Sequence, residues 1–343
     1  MINKILFTVA GRPIYASAAM ISLGVLLCVL LTLALYRSRH RSGAAVMVLA
    51  VLGFVFGVLF SRFLHWYFNA EAYSSLVSAL TDYSTGSFCL PGMLLGVWLA
   101  AWIVRKLGLT ETVGELLDAA APGMALLIAF VRLSALFNDT CRSRIEIVTP
   151  IFKTLPFAVS RTDAAGHETW HLATFFLAFL VMLLVTLAVL RFYIRRGKRR
   201  MRPPCERSGN VWRMFLLYYG AVEIVIDSLR NDSPLMHFHL ISVLNQYSSF
   251  VSLAQVFAAS TALYVLIFYS VRSIKSRGFQ WWHAGSWVGF VLSLVGIGYL
   301  GEYKVQRTAQ YFKCYSIMIV SCIAMVAVVR LMYRSCVAKK KEW

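Results

Sequence analysis

Residues 15–36 read YASAAMISLGVLLCVLLTLALY, and the next five are Arg37, Ser38, Arg39, His40 and Arg41. No Asp, Glu, Lys or Arg interrupts the first stretch. About 20 apolar residues in a helix cover the hydrocarbon of a bilayer. In that solvent a spanning segment must satisfy its own backbone, so an uncharged run of this length reads as a transmembrane helix. It is too long for the apolar region of a cleavable signal peptide, which is about 7–15 residues. The arginines behind it read as its anchor on one side of the membrane.

The same pattern repeats along the chain. Candidate spans fall near 15–36, 44–67, 88–104, 114–137, 171–194, 211–229, 249–271, 284–301 and 314–333, the third and eighth being short. The composition agrees: 59% of the 343 residues are hydrophobic and 14% charged, against about 45–50% and about 25% in soluble domains. An ordinary soluble domain and a disordered chain are both excluded. The expected fold is an all-α polytopic integral membrane protein of about nine transmembrane helices. Its organisation is expected as a seven-span membrane domain over 1–271, with an outer head loop at 138–170, followed by two additional helices over 272–343.

Basic residues decide the orientation. Clusters follow every odd span: Arg37, Arg39 and Arg41; Arg105 and Lys106; a dense run from Arg191 to Arg213; Arg272, Lys275 and Arg277; and Lys339 to Lys341. The positive-inside bias therefore predicts an outer N-terminus and an inner C-terminus. Assigned this way, 22 basic and 5 acidic residues lie on the inner side, leaving 12 basic and 10 acidic on the outer side. The net charge of +19 is thus an anchor rather than a nucleic-acid footprint, and no basic–aromatic module lies outside the spans. Residues 68–87 carry no Lys or Arg, whereas 138–170, with Pro150 and Pro156, is long enough for a small folded head. The seven cysteines contain no CxxC and propose neither a zinc nor a redox framework.

Ionisable residues at membrane depth are expensive and mark functional sites. Arg62 lies near the outer end of the second span and Arg132 near that of the fourth. Glu223 and Asp227 in the sixth are four residues apart, on one helix face, with Arg230 one turn further out. Two carboxylates and three arginines are therefore expected at similar depth on the outer side.

Several stretches resemble the prolipoprotein diacylglyceryl transferases, bacterial enzymes that move a diacylglyceryl group from phosphatidylglycerol to the cysteine thiol of a lipoprotein precursor. In ELLDAAAPGMALLIAFVRLSALFND (115–139), Asp118, Pro122, Arg132 and Asn138 stand at the places of the family's Asp, Pro, Arg and signature Asn. SFCLPGMLLG (87–96) resembles its Ser-Phe-His-Gly-Gly element, with Pro91 at the place of the histidine. LYYGAVEIVIDSLR (217–230) resembles its sixth-span element, with Glu223 where the family has an arginine and Asp227 where it has a glutamate. SLAQ (252–255) and SRFLHWYFN (61–69) resemble two further elements, and the likeness covers roughly 44–271. The resemblance implies catalytic roles for Arg132, Asp227 and Glu223. It implies lipid contacts by Arg62, Arg132, Asn138, Arg230 and Gln255, since a guanidinium suits a lipid phosphate. It implies no cofactor, a location in the bacterial plasma membrane, and phosphatidylglycerol and a lipoprotein precursor as partners.

A second pattern belongs to another class. HETWH (167–171) is His-Glu-x-x-His, which on a helix sets two histidines on one face as zinc ligands with the Glu as base. The alternative reading is an outward-facing zinc metallopeptidase with His167, His171 and Glu223 on the metal and Glu168 as base. A third reading keeps the scaffold without chemistry, as a lipid- or lipoprotein-binding relative.

Overall fold

The computed structural model describes residues 5–9, 12–68, 73–81, 89–137, 143–154, 157–162, 168–197, 208–230, 252–308 and 310–337. In chain order these form β1 (Ile5–Val9), β2 (Arg12–Tyr15), α1 (Ala16–Arg37), α2 (Gly43–Phe68), α3 (Leu76–Thr81), α4 (Leu90–Lys106) and α5 (Val113–Ser134). Then come α6 (Pro150–Lys153), β3 (Ala158–Thr162), β4 (Glu168–Leu172), α7 (Thr174–Gly197), α8 (Asn210–Leu229), α9 (Leu253–Arg277), α10 (Trp281–Val295) and α11 (Tyr311–Val337). A 3₁₀ turn, Ala135–Phe137, extends α5, and a π-helical segment, Gly296–Tyr303, extends α10.

Nine long helices thus fall on the nine expected segments, among the described residues. Seven are long and apolar enough to cross a membrane. The other two are α4, with 17 residues, and α8, with 20 residues including Arg213, Glu223 and Asp227. The protein is a multi-pass helical membrane protein. Local chemistry sets the helix boundaries. The Thr112 hydroxyl accepts the Glu115 N–H to start α5. Ser252 and Gln255 form a reciprocal capping box at α9. Pro91 sits in the first turn of α4, where its missing N–H costs nothing.

Small residues bring the helices close. Gly53 and Gly57 of α2 face α4, whose Gly92 and Gly96 have no room for a Cβ against the Phe60 and Phe56 carbonyls. These are two small-xxx-small stripes packed on each other. On α5, a Cβ at Gly123 would meet the Cys28 carbonyl of α1 at 2.8 Å. α5 is the central helix, touching α1, α4, α7 and α8. α9, α10 and α11 form a second packed group joined to the first mainly through α8.

The basic ends gather on one face. Arg41 bonds to Glu111 and Glu115, and Arg39 lies over the Tyr193 ring. Arg196 meets Asp118 at 2.5 Å. Asp118 also accepts the backbone N–H groups of Gly209, Val211 and Trp212 at 2.8, 2.8 and 3.0 Å, capping α8. At the opposite face Arg132 meets Glu223, and the Tyr315 hydroxyl donates to the Ser228 carbonyl at 3.1 Å.

The head contains a hairpin. β3 and β4 pair antiparallel from Ala158↔Leu172 to Thr162↔Glu168. The segment 143–147 before them is stitched to both neighbours: Ile147 N–H donates to the Trp170 carbonyl and Arg144 N–H to the Leu229 carbonyl. This corrects the reading of 167–171 as a helical zinc motif. Glu168 and His171 are on a strand, and α7 begins at Thr174 rather than 171. On a strand, residues four apart share a face but are about 13 Å apart along the chain direction, so the helical geometry of that motif is not present. His167 lies outside the described residues. The hairpin of β1 and β2, which precedes α1, was not signalled by the apolar pattern.

Candidate functional site

The strongest concentration of buried charge lies where α5 and α8 meet at the face opposite the basic clusters. Arg132 ends α5 and is 5% exposed; Glu223 lies in α8 and is 4% exposed. Their side chains form a direct ion pair. Each alone would carry a heavy desolvation penalty, and the contact offsets it. One turn further along α8, Asp227 is buried, with Arg230 Nη1 3.6 Å from its Oδ1.

Two more helices bring polar groups to the same region. Arg62 of α2 is 1% exposed. Its neighbour Ser61 binds the start of α4, accepting the Cys89 N–H at 2.7 Å and donating to the Cys89 carbonyl at 2.8 Å. Cys89 lies within electrostatic reach of Glu223 and Asp227. Tyr219 lies within reach of Arg132, Glu223, Cys89 and Asp227. Residues 219, 223 and 227 fall on one face of α8, and the buried Tyr219 hydroxyl has no hydrogen-bond partner among the described residues. α5 and α8 thus bring a cluster of buried polar side chains together beside the start of α4.

The expected residues meet in part. Arg132 pairs with Glu223 and Arg230 lies beside Asp227, while Arg62 is buried in α2. Asn138 lies outside the described residues. Gln255 is nearby but engaged: its Oε1 accepts the Ser252 N–H at 3.0 Å, and its Nε2 donates to the Ile224 carbonyl and to Glu302 Oε2 at 3.3 and 2.9 Å. Glu223, offered as a third metal ligand, is the partner of Arg132, and His171 Nε2 instead contacts Thr169 Oγ1 at 3.1 Å. Among the described residues no three His, Cys, Asp or Glu side chains are grouped for a metal.

Two buried residues, Tyr219 and Glu302, were not singled out by the sequence. Glu302, 3% exposed, sits in the π-helical segment beyond α10 and also accepts from Gln306 at 3.1 Å. Its signal was present: it is the one acidic residue between 253 and 341.

A model of the prolipoprotein diacylglyceryl transferase family matches residues 4–269. Among curated proteins, the chain is 24% identical over 234 residues to a phosphatidylglycerol–prolipoprotein diacylglyceryl transferase of Clostridium tetani, covering 67% of this chain and 86% of the relative. It is 27% identical over 225 residues to the Frankia alni protein of that name, covering 64% of this chain and 56% of the relative. The likeness to the Finegoldia magna protein of that name is 22% over 233 residues, covering 67% and 85%. The match takes in α1 to most of α9, and with them every member of the buried cluster except Glu302; the chain belongs to the prolipoprotein diacylglyceryl transferase family.

Proposed function

We propose that the protein is a diacylglyceryl transferase of the bacterial plasma membrane. It takes phosphatidylglycerol as donor and the cysteine thiol of a lipoprotein precursor as acceptor, with an outer N-terminus and an inner C-terminus. The observation that carries this reading is the buried cluster of Arg62, Arg132, Glu223 and Asp227, within the family match. Relatives named for this reaction support the substrate classes. In the reaction the acceptor sulfur forms a C–S bond to the glycerol carbon. The C–O bond to phosphate breaks, and glycerol phosphate leaves with the electron pair. Arg62 and Arg132 are the cations for the phosphate, whose charge grows as the bond breaks. Asp227 takes the thiol proton. Asn138 and Arg230 complete the lipid contacts, and no cofactor enters the step.

A second reading, lipid or lipoprotein binding without transfer, has its own support. Arg132 is engaged by Glu223, and Pro91 opens α4 where the family has a histidine base. One assay separates the two: transfer of labelled diacylglyceryl from phosphatidylglycerol to a lipobox peptide by the purified full chain. Transfer that falls by about 10²–10³ in Arg132→Ala supports the enzyme and this role for Arg132. Undiminished transfer in Arg132→Ala would remove that role. Phosphatidylglycerol that co-purifies with a wild type unable to transfer selects the second reading.

A further inference from the structure

Away from the buried cluster, on the face where the basic residues gather, a cavity of about 610 Å³ opens between the α1–α2 loop and the end of α7. Leu35, Arg39, His40, Arg41, Tyr193 and Ile194 contribute to its lining, together with one carboxylate, Glu115. Its cations are not equivalent. Arg41 is held by Glu111 and Glu115, and its guanidinium keeps the exposed Glu111 carboxyl below the usual carboxylate range. Arg39 is different. Its guanidinium carbon lies 3.9 Å from the Tyr193 ring centroid, and its Nη2 is 3.5 Å from the Tyr193 carbonyl. Among the described residues no carboxylate pairs with it. A guanidinium stacked on a ring is held in fixed orientation.

The loop around it is held in shape. Arg39 N–H donates to the Tyr36 carbonyl at 3.2 Å and His40 N–H to the Arg37 carbonyl at 2.9 Å. His40 has φ 58°, the one positive φ at a non-glycine residue among those described. Such conformations are uncommon outside glycine and concentrate at ligand clamps and active sites. The Tyr193 hydroxyl donates to the Leu35 carbonyl at 2.9 Å, tying the two walls together.

Lipid-facing surface leads into the cavity. Leu180, Leu184, Leu187 and Ile194 of α7 are all exposed, and their spacing places them on one stripe of the helix, which also carries the exposed Arg191 between Leu187 and Ile194. The stripe ends at Ile194, on the wall of the cavity. A ligand with a phosphate at Arg39 and hydrocarbon along this stripe fits both features. A soluble phosphate would use the first alone.

We propose that this cavity is a second lipid site, which holds the headgroup phosphate of an anionic phospholipid between Arg39 and His40 with an acyl chain along α7. Basic pockets between transmembrane helices at the cytoplasmic surface suit such headgroups. The site is separate from the Arg132 cluster and stands whether or not transfer occurs.

Native mass spectrometry of the full chain tests it, with release from phosphatidylcholine nanodiscs doped with phosphatidylglycerol. Wild type is expected to retain phosphatidylglycerol. Arg39→Ala weakens one bound copy by about tenfold, whereas Arg132→Ala leaves that copy in place. Ile194→Glu, on the acyl wall, weakens the same copy and provides a second variant should Arg39→Ala fail to fold. Retention unchanged by both variants overturns the proposal. So does phosphatidylcholine held as strongly as phosphatidylglycerol, or loss of the same copy in Arg132→Ala. Displacement by free glycerol phosphate at the same concentration as the lipid also overturns it, in favour of a soluble phosphate ester.

Discussion

At the scale of the residue, the telling contact is Arg132 with Glu223. Two unit charges about 4 Å apart attract by about 4 kcal/mol at an effective dielectric of 20, and removing one partner of a buried pair costs about 3–5 kcal/mol because the other charge is stranded. Arg132→Ala and Glu223→Ala are each expected to destabilise the protein by about that amount. The double variant should lose less than the sum by about 1–3 kcal/mol, measured by denaturant unfolding in mixed micelles. Additive losses would sink the pairing. Depth alone placed both residues correctly in the sequence, because an ionisable group in an apolar run can be positioned along its helix. Who pairs with whom was not legible, since it depends on which faces of α5 and α8 meet. Asp118 shows the same limit. It stood out in the sequence as a place shared with the family, but its work emerges only when Gly209, Val211 and Trp212 bring their N–H groups to it from a distant segment.

At the scale of the element, the nine long helices were legible because each apolar run must satisfy its backbone internally. The strand at Glu168–Leu172 was not. ETWHL contains no period long enough to choose between helix and strand, and its conformation is set by a partner, Ala158–Thr162, across a turn. The same dependence on a neighbour hid Glu302, whose acceptance of Gln255 links the segment after α10 to the start of α9. Helix contact, by contrast, left a trace in GFVFG (53–57) and GMLLG (92–96). Gly96→Val would drive side-chain carbons into the Phe56 carbonyl and is expected to cost about 1–3 kcal/mol or more, the usual scale of overpacking. Gly285 is the control: a Cβ there meets nothing within 4 Å, so Gly285→Ala should be neutral or slightly stabilising on helix propensity. Thermal unfolding of both in the same detergent decides this, and equal midpoints would refute close α2–α4 packing as the constraint.

At the scale of the whole molecule, charge and packing argue for one orientation. Basic residues gather at the ends of α1, α4, α7, α9 and α11, and the structure brings several of these ends together through Arg41 with Glu111, Arg39 with Tyr193, Arg196 with Asp118, and Ser273 with Ser335. The buried Arg132–Glu223 pair occupies the other end of the same bundle. Were all nine long helices among the described residues to cross, the two termini would lie on opposite sides. The positive-inside bias, which counts Lys and Arg near the span ends, then assigns the basic face to the cytoplasm. Reporter fusions test this directly. A fluorescent protein fused after Trp343 should fold and fluoresce, and alkaline phosphatase fused after residue 240 should be active outside. Phosphatase activity at the C-terminal fusion would invert the assignment. It would also move the Arg132 cluster to the inner leaflet, where an outward-delivered lipoprotein precursor does not reach it, so the same measurement bears on transfer itself.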